Sequence, residues 1–86
     1  KDIYGYDALA WALYKNGKLE QAAEVIEGAL KLGTIDAQLQ YHAGVIEAKL
    51  GHKEHAREHL EACLKINPNF SLIHASDAKK TLESLK

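Results

Sequence analysis

The chain holds no methionine, one cysteine, one proline, one tryptophan and one phenylalanine among 86 residues. With Cys63 alone, no disulfide can close within it, which agrees with a reducing compartment. No apolar run approaches the roughly 20 residues a membrane helix needs, and no signal-peptide pattern occurs. A cytoplasmic location with no membrane partner is therefore expected. An excess of charge of one sign is also missing. Eleven basic residues stand against twelve acidic ones, the formal net charge is −1, and the longest basic cluster is Lys79-Lys80. That balance argues against a nucleic-acid partner. The start at Lys1 without any methionine points to an excised, trimmed or redesigned segment.

Catalytic signatures are scarce as well. The glycines stand alone or at helix ends and never form a phosphate cradle. Carboxylates such as Glu20, Glu24 and Glu27 alternate with polar residues, the pattern of a solvated helix surface. No nucleophile with a base emerges, so no enzymatic activity is expected. Cys63 falls at a small apolar position, where a buried core thiol is the simpler expectation than a nucleophile.

What the chain does have is a repeat. Residues 6–36 laid over residues 40–70 bring Lys15/Lys49, Gly17/Gly51, Glu20/Glu54, Ala22/Ala56, Glu24/Glu58, Glu27/Glu61, Leu30/Leu64 and Lys31/Lys65 into coincidence, a period of 34 residues. A unit of that length cannot bury its own apolar face and must stack on copies of itself. With 47% hydrophobic and 27% charged residues the chain should fold, although so small a domain hides only about 60% of its unfolded surface.

Apolar residues recur at helical spacing. Ile3, Tyr6, Leu9, Ala10 and Leu13 form one stripe ended by Gly17, and Leu19, Ala22, Ala23, Ile26, Ala29 and Leu30 form a second that closes at Gly33. Thr34 or Asp36 can cap a third helix with Leu39, Ala43, Ile46 and Leu50, stopped by Gly51. Ala56, Leu60, Cys63, Leu64 and Ile66 mark a fourth, broken at Asn67-Pro68. Ser71 can cap a fifth, whose stripe of Ala75, Ala78, Leu82 and Leu85 is backed by Asp77, Lys80, Glu83 and Ser84, as expected of a soluble lid.

These residues resemble the tetratricopeptide repeat family. One repeat supplies Tyr6, Leu9-Ala10, Leu13, Gly17, Ala22, Ile26 and Ala29, and the other Ala43-Gly44, Gly51, Ala56, Leu60, Cys63 and Pro68. Gln40 and Glu47 depart from the pattern by standing where large apolar residues are usual, and Thr34 replaces the first closing proline. The resemblance implies an all-α, right-handed solenoid of one domain over 1–86. Its first hairpin covers about 3–35, its second about 36–69, and a capping helix about 70–86.

It also implies a function, the binding of proteins or peptides. In this family the first helices of successive hairpins line a concave groove. Here those positions are Tyr4, Asp7, Trp11, Tyr14 and Lys15, then Gln38, Tyr41, Val45, Ala48 and Lys49. Trp11 and Tyr14 could equally have covered a preceding repeat. Asp7 and Trp11 occupy the places where some members carry a lysine and asparagines that grip a C-terminal carboxylate, so that mode is not expected.

On the second helices one stripe is unusually bare: Gln21, Val25 and Gly28, then His55, His59 and Ala62. A glycine in mid-helix costs roughly 1 kcal/mol against alanine, which makes Gly28 suggestive of a close approach by another backbone. A docking surface for a second copy of the chain is one reading, and drift on a tolerant surface the other. His55 and His59, four residues apart with His52 nearly on the same side, have the spacing to share one zinc ion, a second copy supplying further ligands. The ordinary alternative is solvent-exposed histidine with no ligand and no cofactor. His42 and His74 show no partner spacing and are expected to pack at helix edges.

Overall fold

A computed structural model describes residues 3–33 and 35–68, with the side chains of Ile3 and Tyr4 left aside. Four helices follow one another: α1 (Ile3–Lys15), α2 (Leu19–Leu30), α3 (Ala37–Leu50) and α4 (Lys53–Ile66). No strand occurs among the described residues. The proposed capping helix, with Ser71 and His74, lies outside them.

The two hairpin turns are copies of one another at the level of individual hydrogen bonds. In the first, Gly17 N donates to Tyr14 O at 3.0 Å and Lys18 N to Leu13 O at 2.9 Å; in the second, Gly51 N donates to Ala48 O at 3.1 Å and His52 N to Glu47 O at 2.9 Å. This pair of bonds is the Schellman closure, which requires a left-handed residue. Gly17 and Gly51 meet that need at φ of 78° and 84°. The 34-residue period is thus a period of backbone geometry. Between the hairpins, Asp36 caps α3 by accepting from Leu39 N at 3.1 Å, and the chain leaves α4 at Asn67, just before Pro68.

Packing places α3 at the centre, against both α2 and α4. One buried cluster joins Ala10, Ala22, Ile26, Ala29, Leu39, Ala43 and Ile46, sealing the first hairpin onto α3. A second joins Ala37, Tyr41, Ala56, Leu60 and Cys63 within the second hairpin. A helix between two neighbours must be apolar on two sides, so α3 adds Ala37, Tyr41 and Gly44 to its expected stripe. At Gly44, α3 and α4 pack closely: a Cβ there would lie 2.6 Å from Leu60 Cγ and 3.3 Å from Ala56 O. On α1 the expected stripe is only half used. Ala10 is buried, but Tyr6 and Leu9 remain 41% and 50% exposed.

Candidate functional site

Three surfaces carry the residues of interest, and the helix packing decides what each is free to do. The first is the seam between α1 and α3. Asp7, expected in an open groove, is instead 5% exposed. Its carboxylate accepts from His42 Nδ1 at 2.6 Å and from Gln38 Nε2 at 2.9 Å. Burial alone would raise the Asp7 carboxyl, but the hydrogen bonds from His42 and Gln38 and the charge of His42 outweigh it and hold the group below its ordinary value.

His42 is therefore no idle edge residue. Its ring stacks on Trp11 at 4.0 Å, and Trp11 stacks on Tyr14 at 4.6 Å. Trp11 and Tyr14 thus cover the second hairpin of this same chain. Tyr41 is buried in the α3–α4 core and does not line a groove. Val45 and Ala48 pack half-buried beside it, while Lys15, Gln38 and Lys49 stay exposed. The groove expected around Trp11 and Tyr41 is largely filled by the chain's own contacts. Spacing along one helix could not reveal the Asp7–His42 pair, because the partners lie 35 residues apart.

The second surface is a groove of about 300 Å³ on the first hairpin, lined by Tyr6, Leu9, Glu24, Val25, Gly28 and Leu32. Leu32 is 46% exposed, so three large apolar side chains of this groove meet solvent together. Gly28 forms part of its wall, and a Cβ added there would meet nothing within 4 Å. The close approach expected of Gly28 is absent within the described chain.

The third surface runs between α2, α3 and α4 and accounts for two of the departures from the family pattern, Gln40 and Glu47. His59 Nδ1 lies 2.7 Å from Gln40 Oε1, and its Nε2 lies 2.7 Å from Glu27 Oε2. Glu47, buried at the same junction, accepts from His52 Nδ1 at 2.6 Å. Gln40 and Glu47 are tolerated in α3 because each finds a polar partner, and no buried side-chain nitrogen or oxygen among the described residues lacks one. Hydrogen bonding from His59 holds the Glu27 carboxyl below its ordinary value against the opposing effect of burial.

The bare stripe expected on the second helices is divided by this packing. His59 turns inward and Ala62 is half-buried, Gln21 and His55 stay exposed, and exposed Gly28 with half-buried Val25 belongs to the first-hairpin groove. The set able to share an ion also differs from the expected histidine pair: Glu27, Glu47 and His59 have ligand atoms within mutual reach, and His55 is not among them. Its ring lies 6.2 Å from that of His52 instead.

Cys63 is fully buried, and desolvation, helped by the negative charge of Asp36, pushes its thiol up to about 11. A disulfide reagent at pH 8 should leave Cys63 unmodified in the folded protein and titrate it fully once denaturant is added. Rapid modification without denaturant would mean that the α3–α4 core opens readily.

No helix among the described residues is long and apolar enough to cross a membrane. No curated protein sequence matches the chain well enough to count as a relative. Family models described as tetratricopeptide repeat match residues 3–32 and 37–70, one on each hairpin. Two helical hairpins with superimposable glycine turns and matching family models establish that the chain belongs to the tetratricopeptide repeat family, whose repeats generally act as non-catalytic modules of protein–protein interaction.

Proposed function

We propose that this chain is a protein-interaction and assembly module whose contact surface is the apolar groove between α1 and α2, occupied most simply by the same groove of a second copy. The observation that carries the reading is the gathering of Tyr6, Leu9 and Leu32, all more than a third exposed, around a glycine with open space above it. Contiguous exposed apolar surface of this kind marks interaction sites. A glycine on such a surface lets a helix backbone come close. Two identical grooves related by a two-fold axis would bury each other's apolar residues.

Light scattering over a range of concentrations tests this. The wild-type mass should rise toward twice that of the chain, and Gly28→Arg or Leu9→Lys should hold it at the monomer value. Lys49→Glu on the far seam should behave as wild type. A monomer at every concentration, or a dimer indifferent to Gly28→Arg, removes the proposal.

A second reading has its own observation. Trp11 is stacked but still partly open, and Lys15, Gln38 and Lys49 are exposed on the same two helices, so a peptide could lie across this ridge. Acidic peptides that shift Trp11 fluorescence saturably, without altering the mass of the self-associated form, would support it.

A further inference from the structure

One polar cluster is not explained by docking at either surface. Glu27 from α2, Glu47 from α3 and His59 from α4 each present a ligand atom, and these atoms lie within 4.8 Å of one another. The Glu47 side chain is only 6% exposed and that of His59 16%. The Glu27 carboxyl is also in hydrogen-bonding contact with that of Glu47.

Two features of this geometry suit a metal ion. Both ring nitrogens of His59 are aimed at oxygen acceptors, Gln40 Oε1 at Nδ1 and Glu27 Oε2 at Nε2. The ring is thus held by Gln40 with Nε2, which donates to Glu27 when a proton sits there, turned toward the carboxylates. Secondly, two carboxyl groups from different helices meet beside that same nitrogen, the Glu47 side chain largely buried and that of Glu27 32% exposed. A metal ion would replace the protons that now bridge these three groups.

We propose that Glu27, Glu47 and His59 form a binding site for a first-row divalent metal ion, with zinc the simplest occupant, and that the ion ties the first hairpin to the second. One imidazole nitrogen and two carboxylates make a donor set suited to zinc and its transition-metal neighbours. The imidazole disfavours magnesium and calcium, which take oxygen ligands. The surroundings already have the form of an outer ligand shell. Gln40 fixes the His59 ring by accepting from Nδ1, and His52 steadies the Glu47 carboxylate. Three protein ligands leave one tetrahedral position for water. The site lies within one chain, and the inference is independent of the self-association reading.

Tag-free protein, stripped with a chelator and titrated with zinc chloride in a calorimeter, is expected to take up one ion per chain and to melt higher as free zinc increases. Cobalt(II) in place of zinc should give visible d–d absorption that zinc then abolishes. Glu27→Gln and His59→Ala should each weaken zinc binding by more than the roughly 10–100-fold that loss of an outer partner costs, and Gln40→Leu should fall within that range and alter the cobalt spectrum. His55→Ala should bind as wild type. Circular dichroism in chelator checks that each variant is folded, and Glu27→Gln, at the more exposed position, keeps the test open if His59→Ala is not. Three results would overturn the assignment. They are absence of one-to-one binding by wild type, zinc binding retained in folded Glu27→Gln, and binding lost in His55→Ala, which would move the ion to the surface histidines.

Discussion

Replacing Gly44 by alanine is expected to lower the thermal midpoint of this protein, while the same replacement at Gly28 raises it. Both glycines are in mid-helix, and in isolation each exchange should favour the helix by about 0.5–1 kcal/mol. At Gly28 nothing opposes that gain, because the new Cβ meets no atom within 4 Å. At Gly44 the Cβ would sit 2.6 and 2.7 Å from Leu60 side-chain carbons that are themselves in the core, with Ala56 O at 3.3 Å beneath. Forcing extra volume into a packed core costs about 1–3 kcal/mol, so the net effect should be a loss of about 1–2 kcal/mol. Since 1 kcal/mol moves the midpoint of a domain this size by about 4–8 °C, the two variants should melt well apart on either side of wild type. Melts at low concentration keep self-association from contributing. A Gly44→Ala midpoint at or above wild type would show that Leu60 swings aside freely and that α3 and α4 are not in tight contact.

Asp7→Asn is expected to cost about 1.5–3 kcal/mol near neutral pH, because a buried carboxylate receiving from His42 and Gln38 makes charge-assisted bonds that an amide cannot reproduce. The acid side of the stability profile carries the sharper test. The Asp7 carboxyl is held below its ordinary value in the folded protein, so the unfolded chain takes up the proton more readily. Its contribution is therefore fully present above the unfolded carboxyl range, near pH 4, and is lost as pH falls through the lower folded value. Denaturant unfolding of both proteins between pH 7 and pH 3 should show the gap narrowing as the solution becomes acid. A gap that stays constant, or widens, would mean that Asp7 is held by packing and not by its partners on α3.

Much of this architecture is written in short-range pattern. Gly17 and Gly51 occur where a helix must reverse, Asp36 where one must begin and Pro68 where one must end, and each acts through its own backbone or that of residues a few positions away. Such interactions survive in any context, so all four helices and their 34-residue register are legible without coordinates. The stripes of α2 and α4 were legible for the same reason, since α4 faces chiefly α3 and α2 meets α1 and α3 with one continuous stripe. α3 was only half legible. Its second buried side, with Tyr41 and Gly44, exists because α4 lies there, and a helix buried on two sides loses the one-sided period that identifies an amphipathic stripe.

The surfaces were the least legible part. Tyr41 has the composition of a groove residue and Glu47 that of a solvent residue, yet both are buried, one among apolar side chains and the other beside His52 and Glu27. Histidine spacing pointed to His55 with His59, while the fold couples His59 to Glu27, 32 residues away.

The order of residues by itself determined that this chain is a pair of helical hairpins in the tetratricopeptide manner, because caps, turns and helical period depend on neighbours along the chain. Only the tertiary structure decided which side chains of those helices remain free. Exposure and polar partnership are properties of the space between helices, and the residues that meet there, Asp7 with His42 and Glu27 with Glu47 and His59, come from different helices.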